Sequence, residues 1–333
     1  MQPASVARRE RRTRAAQVAG LLALAAIGAE LLAAYDDITG RPVELLGAGL
    51  FFAVLYGAPA LVIRELARRN GWRWPSIVLL AFALGILQAG VIDQSLFAGD
   101  YRDIETWEAS LRGTFIGPLG LSASNALNFV PGHVIYSFCA PIAVAEAWRP
   151  ATARTPWLRP RGTFLAAALY LLAAVLVLQD PESHSASAPQ LAGSLAAAGL
   201  CVAAAVWLGR RPRGERRAGR APRLPVTVAG SFLPLVAATQ VPETWTGVAV
   251  TMTVLAGGAA LLVHASRGVG WSVRHSAAVA VGALLSRGVL AFTYYPLLGE
   301  TSAVRKYAHN VTMLAIVVAL GWLALRPRDP AAD

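Results

Sequence analysis

Apolar residues in this chain fall into long runs separated by short polar segments. A run of about 17–25 mostly apolar residues is long enough to cross a bilayer core as a helix. The chain divides into ten such runs, near 16–35, 43–63, 75–98, 125–147, 162–179, 189–209, 225–241, 244–264, 275–297 and 303–325. Only Val241-Pro242-Glu243 separates the seventh from the eighth. The pattern predicts an all-α fold, a polytopic transmembrane helical bundle of about ten spans.

Charge sorts the polar segments into two classes. With the N-terminus inside, segments 1–15, 64–74, 148–161, 210–224, 265–274 and 326–333 hold 24 of the 30 Lys and Arg residues. The alternate loops hold Asp36, Asp37, Asp100, Asp103, Glu105, Glu108, Asp180, Glu182, Glu243 and Glu300. Cytoplasmic loops carry the basic excess, so both termini are expected in the cytoplasm and the protein in the cell membrane. Composition agrees, since 56% of the 333 residues are hydrophobic and 15% charged, against about 25% charged in a soluble domain. A net charge of +11 would raise nucleic acid as a partner of a soluble protein. Here it reads as an orientation signal, and no nucleic acid partner is expected. Cys139 and Cys201 lie inside apolar runs, which implies neither a disulfide framework nor a cysteine zinc site. The Arg-rich start also fits a cleavable signal peptide cut after Leu32-Ala33-Ala34. Because Glu30 interrupts the run and its length suits a span, a retained span is the expectation.

The organisation that follows is a basic N-terminus (1–15), six spans (16–209), a basic loop (210–224), four spans (225–325) and a tail (326–333). Pro, Gly and like charges disfavour a fold in the basic loop, which is expected to be mobile and attracted to anionic lipid headgroups. Trp72, Trp74, Trp148, Trp157, Trp271 and Trp322 fall near inner boundaries, where indoles anchor at headgroup level. No internal repeat is evident. In the loop before the fourth span, Tyr101, Ile104, Trp107 and Leu111 recur at helical spacing, which predicts an outer interfacial helix over 100–112. Beyond it, Gly117-Pro118-Leu119-Gly120 and Ser122-Ala123-Ser124-Asn125 predict an irregular re-entry.

Ionisable side chains inside a bilayer are costly, on the order of 2.5–3.5 kcal/mol at a span centre, and need partners. Counted from the span ends, Glu30, Gln88, Asp93, Asn125, Asn128, His133, Arg287, His309 and Asn310 all fall within roughly 15 Å of the outer boundary at 1.5 Å per residue. Only Glu146, near Arg149, lies elsewhere. Pro131-Gly132 before His133 breaks the fourth span locally. The shared depth predicts a polar cavity open to the outside, with Arg287 as countercharge, Asp93 or Glu30 as the responsive carboxylate, and His133 and His309 as ligand contacts. The alternative is structural: Arg287 pairs with Glu30 or Asp93, and the histidines hydrogen-bond across helices. Gln88 and Asp93, five residues apart, stand about 140° apart on an ideal helix and are not expected to share a site. Arg287 and Tyr294 share a helix face. A metal would need His133, His309, Asp93 and Glu30 together, which no spacing demands.

No P-loop, dinucleotide fingerprint, nucleophile elbow or His-Glu-x-x-His is present, and no cofactor is expected. Phe129-Val130-Pro131-Gly132-His133 resembles the F-x-x-x-H element of the CAAX-protease-like intramembrane proteases, with Gln88 to Asp93 where their E-E-x-x-x-R element falls. Gln88-Ala89 stands in place of the paired glutamates and Asp93 in place of the arginine, so the resemblance brings no base to activate water. The run Gly85 to Phe97 resembles a segment of uncharacterised polytopic membrane proteins of actinobacteria, which implies location and span count only. The leading expectation is therefore a transporter of a small solute or ion. An intramembrane hydrolase built on His133 and Asp93, and a scaffold or sensor, are the alternatives.

Overall fold

The computed structural model describes residues 3–212 and 217–327. Of the basic segments above, 1–2, 213–216 and 328–333 lie outside the described residues. Each apolar run forms a helix. Helix α1 (Pro3–Ala26) continues as a π turn, Ile27–Leu31. The next are α2 (Pro42–Arg69) and α3 (Trp74–Ile92), then the short α4 (Trp107–Gly113) and α5 (Ala123–Ala147). The remainder are α6 (Pro160–Val177), α7 (Ala188–Arg210), α8 (Leu224–Ala238), α9 (Trp245–Ser266), α10 (Val273–Leu290) and α11 (Ala303–Leu325). Among the described residues eight helices are long and apolar enough to cross a membrane, as in a multi-pass membrane protein. The others are the seven-residue α4, α8, with 15 residues, and α10, whose run is diluted by Arg274, His275 and Arg287. The described strands are four segments of two to four residues.

Loops meet one another at two ends of the bundle, one rich in acids and one in arginines. At the acidic end Arg102 pairs with Asp36 at 3.6 Å and its main-chain N–H donates to Glu182, while Leu297 N–H bonds Tyr35 O and Thr301 Oγ1 bonds Thr39 O. At the basic end Arg149 donates to Thr13 Oγ1, and His275 contacts Pro222 O at 3.0 Å. Within the basic loop, Arg217–Arg220 (β3) pairs in parallel with Gly268–Val269 (β4). The loop before α5 also differs from expectation. Its helix covers only Trp107–Gly113, and Trp107 is buried against Tyr101 and Phe129 rather than lying on a membrane surface. Re-entry is made by a hairpin, Phe115–Ile116 (β1) with Leu121–Ser122 (β2), in which Gly120 takes a φ of +63°.

Helix α2 runs six residues past its expected end and carries Arg64, Glu65 and Arg68 into the bundle. These residues and Glu146 of α5 form a buried ionic cluster. Arg64 bonds Glu65 at 2.6 Å and lies 3.2 Å from Glu146, and Arg68 holds Glu146 with two bonds of 2.7 Å. Glu65 accepts the main-chain N–H groups of Trp157 and Leu158. Arg64 donates to the carbonyls of Thr152, Ala153 and Thr155 and lies 3.3 Å over the Trp157 ring. Glu146 therefore pairs with Arg64 and Arg68 and not with Arg149. Polar groups thus occupy both ends of the bundle, which corrects the expectation of a single layer. Trp157 is buried beneath Arg64, and the Trp148 indole bonds Leu320 O, so neither is free to act as an interfacial anchor.

Removing one partner from a buried ion pair leaves a stranded charge, which costs about 3–5 kcal/mol. Glu146→Ala and Arg64→Leu are each expected to lose that much stability in denaturant unfolding in detergent micelles. Orientation is checked separately in a chain lacking Cys139 and Cys201. A cysteine at Asp103 should react with a membrane-impermeant maleimide added to intact cells, and one at Gly71 only after permeabilisation.

Candidate functional site

Four π turns, in α1 (Ile27–Leu31), α2 (Ala53–Gly57), α3 (Gln88–Ile92) and α5 (His133–Cys139), carry the polar groups at the acidic end. The turns of α1 and α2 both pack on that of α5. π turns inside α-helices recur at functional sites. Close approach is possible because Gly28 and Gly85 lack side chains: a Cβ on Gly28 would lie 2.4 Å from the Tyr136 carbonyl oxygen, and one on Gly85 3.1 Å from that of Val130.

Glu30 is the hub. Its carboxylate accepts Tyr35 Oη at 2.5 Å and Tyr56 Oη at 2.6 Å. Tyr56 stacks in turn on His133, with ring centroids 5.6 Å apart. His133 Nδ1 lies 3.3 Å from Ser137 Oγ, and Phe138 adds a further ring contact at 6.3 Å. Burial, followed by the Glu30 charge, raises the Tyr35 phenol well above its ordinary value, so it stays a donor. Tyr101, in the loop above, is likewise raised by burial and then by Asp93 and Glu30. One phenol therefore senses both carboxylates.

Asp93 follows the last residue of α3. Its carboxylate accepts Ser95 N–H at 3.0 Å and the Gln88 side-chain amide at 3.4 Å. Gln88 and Asp93 do meet, contrary to the 140° separation of an ideal helix, because Asp93 N–H bonds Gln88 O at 2.9 Å. That i→i−5 bond belongs to a π turn and sets residues five apart one above the other. Gln88 Oε1 and, on α6, Tyr170 Oη are buried without hydrogen-bond partners, while the Ser95 side chain, like its N–H, interacts with the Asp93 carboxylate. Backbone strain accompanies both acids. Ala34 and Gln94, shortly after Glu30 and next to Asp93, adopt φ of 53° and 54°, a left-handed conformation costing about 1–2 kcal/mol for a residue with a Cβ.

Arg287 is not an ion-pair partner. It donates to Ala29 O at 2.9 Å and lies 4.7 Å over the Tyr136 ring, and among the described residues no salt bridge joins Glu30, Asp93 or Arg287 to an opposite charge. The adjacent π turn explains the choice, since it shifts the hydrogen-bond register and leaves carbonyls to be satisfied from outside. His309 contacts Leu31 O at 2.7 Å and Asn310 donates to Ala291 O at 2.9 Å, so both tie helices together through the main chain. Asn128 is exposed and Asn125 meets Ser110. Tyr294 lies beyond the end of α10, off any shared face with Arg287, and bonds Ala33 O.

The void bounded by Glu30, Tyr35, Asp36 and His309 measures about 10 Å³, enough for one water. It is far smaller than the expected cavity. At its rim Asp36 is raised to about 6 by burial and by its hydrogen bond with Asp37, against the lowering effect of Arg102. Among the described residues no three His, Cys, Asp or Glu side chains come close enough to hold a metal ion, so His133, His309, Asp93 and Glu30 do not assemble as ligands. Tyr35, Tyr56, Ser95 and Tyr170 were not anticipated. No family model, curated protein or solved structure matches the chain.

Hydrogen bonds to a charged group contribute about 1.5–3 kcal/mol. Tyr35→Phe and Tyr56→Phe are each expected to lose that much, and less in a Glu30→Gln background. Double-mutant cycles in micelle unfolding measure the difference.

Proposed function

We propose that the protein is a transporter of a small cation or cationic solute, with Glu30 and Asp93 as its charge-bearing groups. The observation that carries this reading is the absence of a counter-cation at either acid among the described residues, while the nearby Arg287 is committed to a main-chain carbonyl. A carboxylate inside an apolar bundle calls for a partner. The two acids differ in kind. Glu30 is held by two phenol donors, which favours a fixed anion. Asp93 has beside it the buried, unpartnered Gln88 Oε1, an oxygen acceptor suited, together with the carboxylate, to a hard cation or a proton. Passage requires the helices to part, since the void beside Glu30 holds one water. The π turns and left-handed residues concentrate backbone strain where that motion would start.

His133 and Ser137, 3.3 Å apart, favour a second reading as an intramembrane hydrolase with serine as nucleophile. No hydrogen bond joins His133 to Asp93 among the described residues, so the pair first expected for that chemistry is not its basis. In proteoliposomes carrying a sodium or proton gradient and a trapped pH-sensitive dye, the wild-type chain is expected to give flux that Asp93→Asn and Glu30→Gln abolish and Ser137→Ala leaves intact. Flux no greater than in empty liposomes, or flux in both acid variants equal to that of the wild type, rejects the proposal.

A further inference from the structure

At the basic end, α8, α10 and the end of α11 enclose an open groove of about 660 Å³, lined by Leu224, Val228, Ala229, Phe232, Leu285 and Leu325 among others. Small-molecule sites span ~300–1,000 Å³, so the groove has the capacity of a ligand site. Its lining is almost wholly apolar, and three arginines adjoin lining residues, one of them, Arg326, with its guanidinium 5.4 Å over the Trp322 ring. Arg223 immediately precedes Leu224, Arg326 immediately follows Leu325, and both are exposed. Arg274 donates to the carbonyl of Leu325 itself, and its Nε is buried without a hydrogen-bond partner. None of the three has an acidic partner among the described residues, and the buried acids of this end, Glu65 and Glu146, are already engaged by Arg64 and Arg68.

An apolar channel capped by uncompensated guanidinium groups matches a molecule with a hydrocarbon tail and an anionic head. We propose that this groove binds an anionic phospholipid, with one acyl chain along α8 and α10 and the phosphate at Arg223, Arg274 and Arg326. Basic pockets between membrane helices hold such headgroups, and Arg274 is tied to the groove through its bond to the carbonyl of Leu325, a lining residue. The site is independent of the transport reading, because it lies at the opposite end from Glu30 and Asp93.

The test titrates the detergent-purified full chain with phosphatidylglycerol or phosphatidylcholine and counts retained lipid by native mass spectrometry. The wild-type chain is expected to retain phosphatidylglycerol in preference to phosphatidylcholine. Two arginines near an anionic headgroup imply a loss of roughly tenfold or more in Arg223→Gln/Arg326→Gln. Ala229→Trp, at an exposed groove position, should lower retention by filling the channel. Equal retention of the two lipids, or retention unchanged in both variants, overturns the proposal. Displacement by free glycerol 3-phosphate also overturns it, since a headgroup site alone needs no groove.

Discussion

An ionised carboxylate inside an apolar bundle must be supplied with donors, and at Glu30 these are two phenols from different parts of the chain. Tyr56 comes from the second long helix and Tyr35 from the loop after the first, and both reach the same carboxylate. Tyr56 then stacks on His133, so one acid fixes the relative positions of α1, α2 and α5. The π turns fit this arrangement. Each changes the hydrogen-bond register, and carbonyls near Glu30 are taken up by Arg287 and His309. Arginine and histidine side chains expected to contact a ligand are thereby used to repair the backbone.

The two ends of the bundle handle charge in opposite ways. At the basic end Arg64, Glu65, Arg68 and Glu146 compensate one another completely and clamp the loop through Thr152 and Trp157. Such clusters are rigid, because breaking any pair strands a charge. At the acidic end Glu30 and Asp93 are met by neutral donors only. A rigid base and a charge-bearing opposite end are what a device that moves at one end needs, and the left-handed residues Ala34 and Gln94 stand where that end would bend.

Much of the architecture was legible because membrane helices are written in runs of apolar residues and their loops in charge. Every run became a helix, and among the described residues eight of these are long and apolar enough to cross a membrane. The helix ends were not legible. Arg64, Glu65 and Arg68 read as loop because charges normally end a span, yet here they pair inside the bundle. Asp93 read as part of α3, although the helix stops at Ile92. The depth of Glu30, Asp93 and His133 was recoverable from residue counting, but their partners were not, since an apolar run containing Tyr56 or Tyr170 looks like any other.

The meeting of Gln88 with Asp93 shows why helix-wheel reasoning fails where it matters most. On an α-helix the two point apart, and an argument from 3.6 residues per turn separates them. A single π turn reverses that conclusion by running its bond from Asp93 to Gln88. The change of register leaves Gln88 Oε1 buried beside a carboxylate without a partner of its own. An unsatisfied buried acceptor is destabilising by about 1–3 kcal/mol, and one beside an anion is relieved by a cation or a proton shared with it. The same distortion that defeats the sequence pattern therefore sets the surroundings of Asp93, and it ties the helix geometry of α3 directly to the chemistry proposed for it.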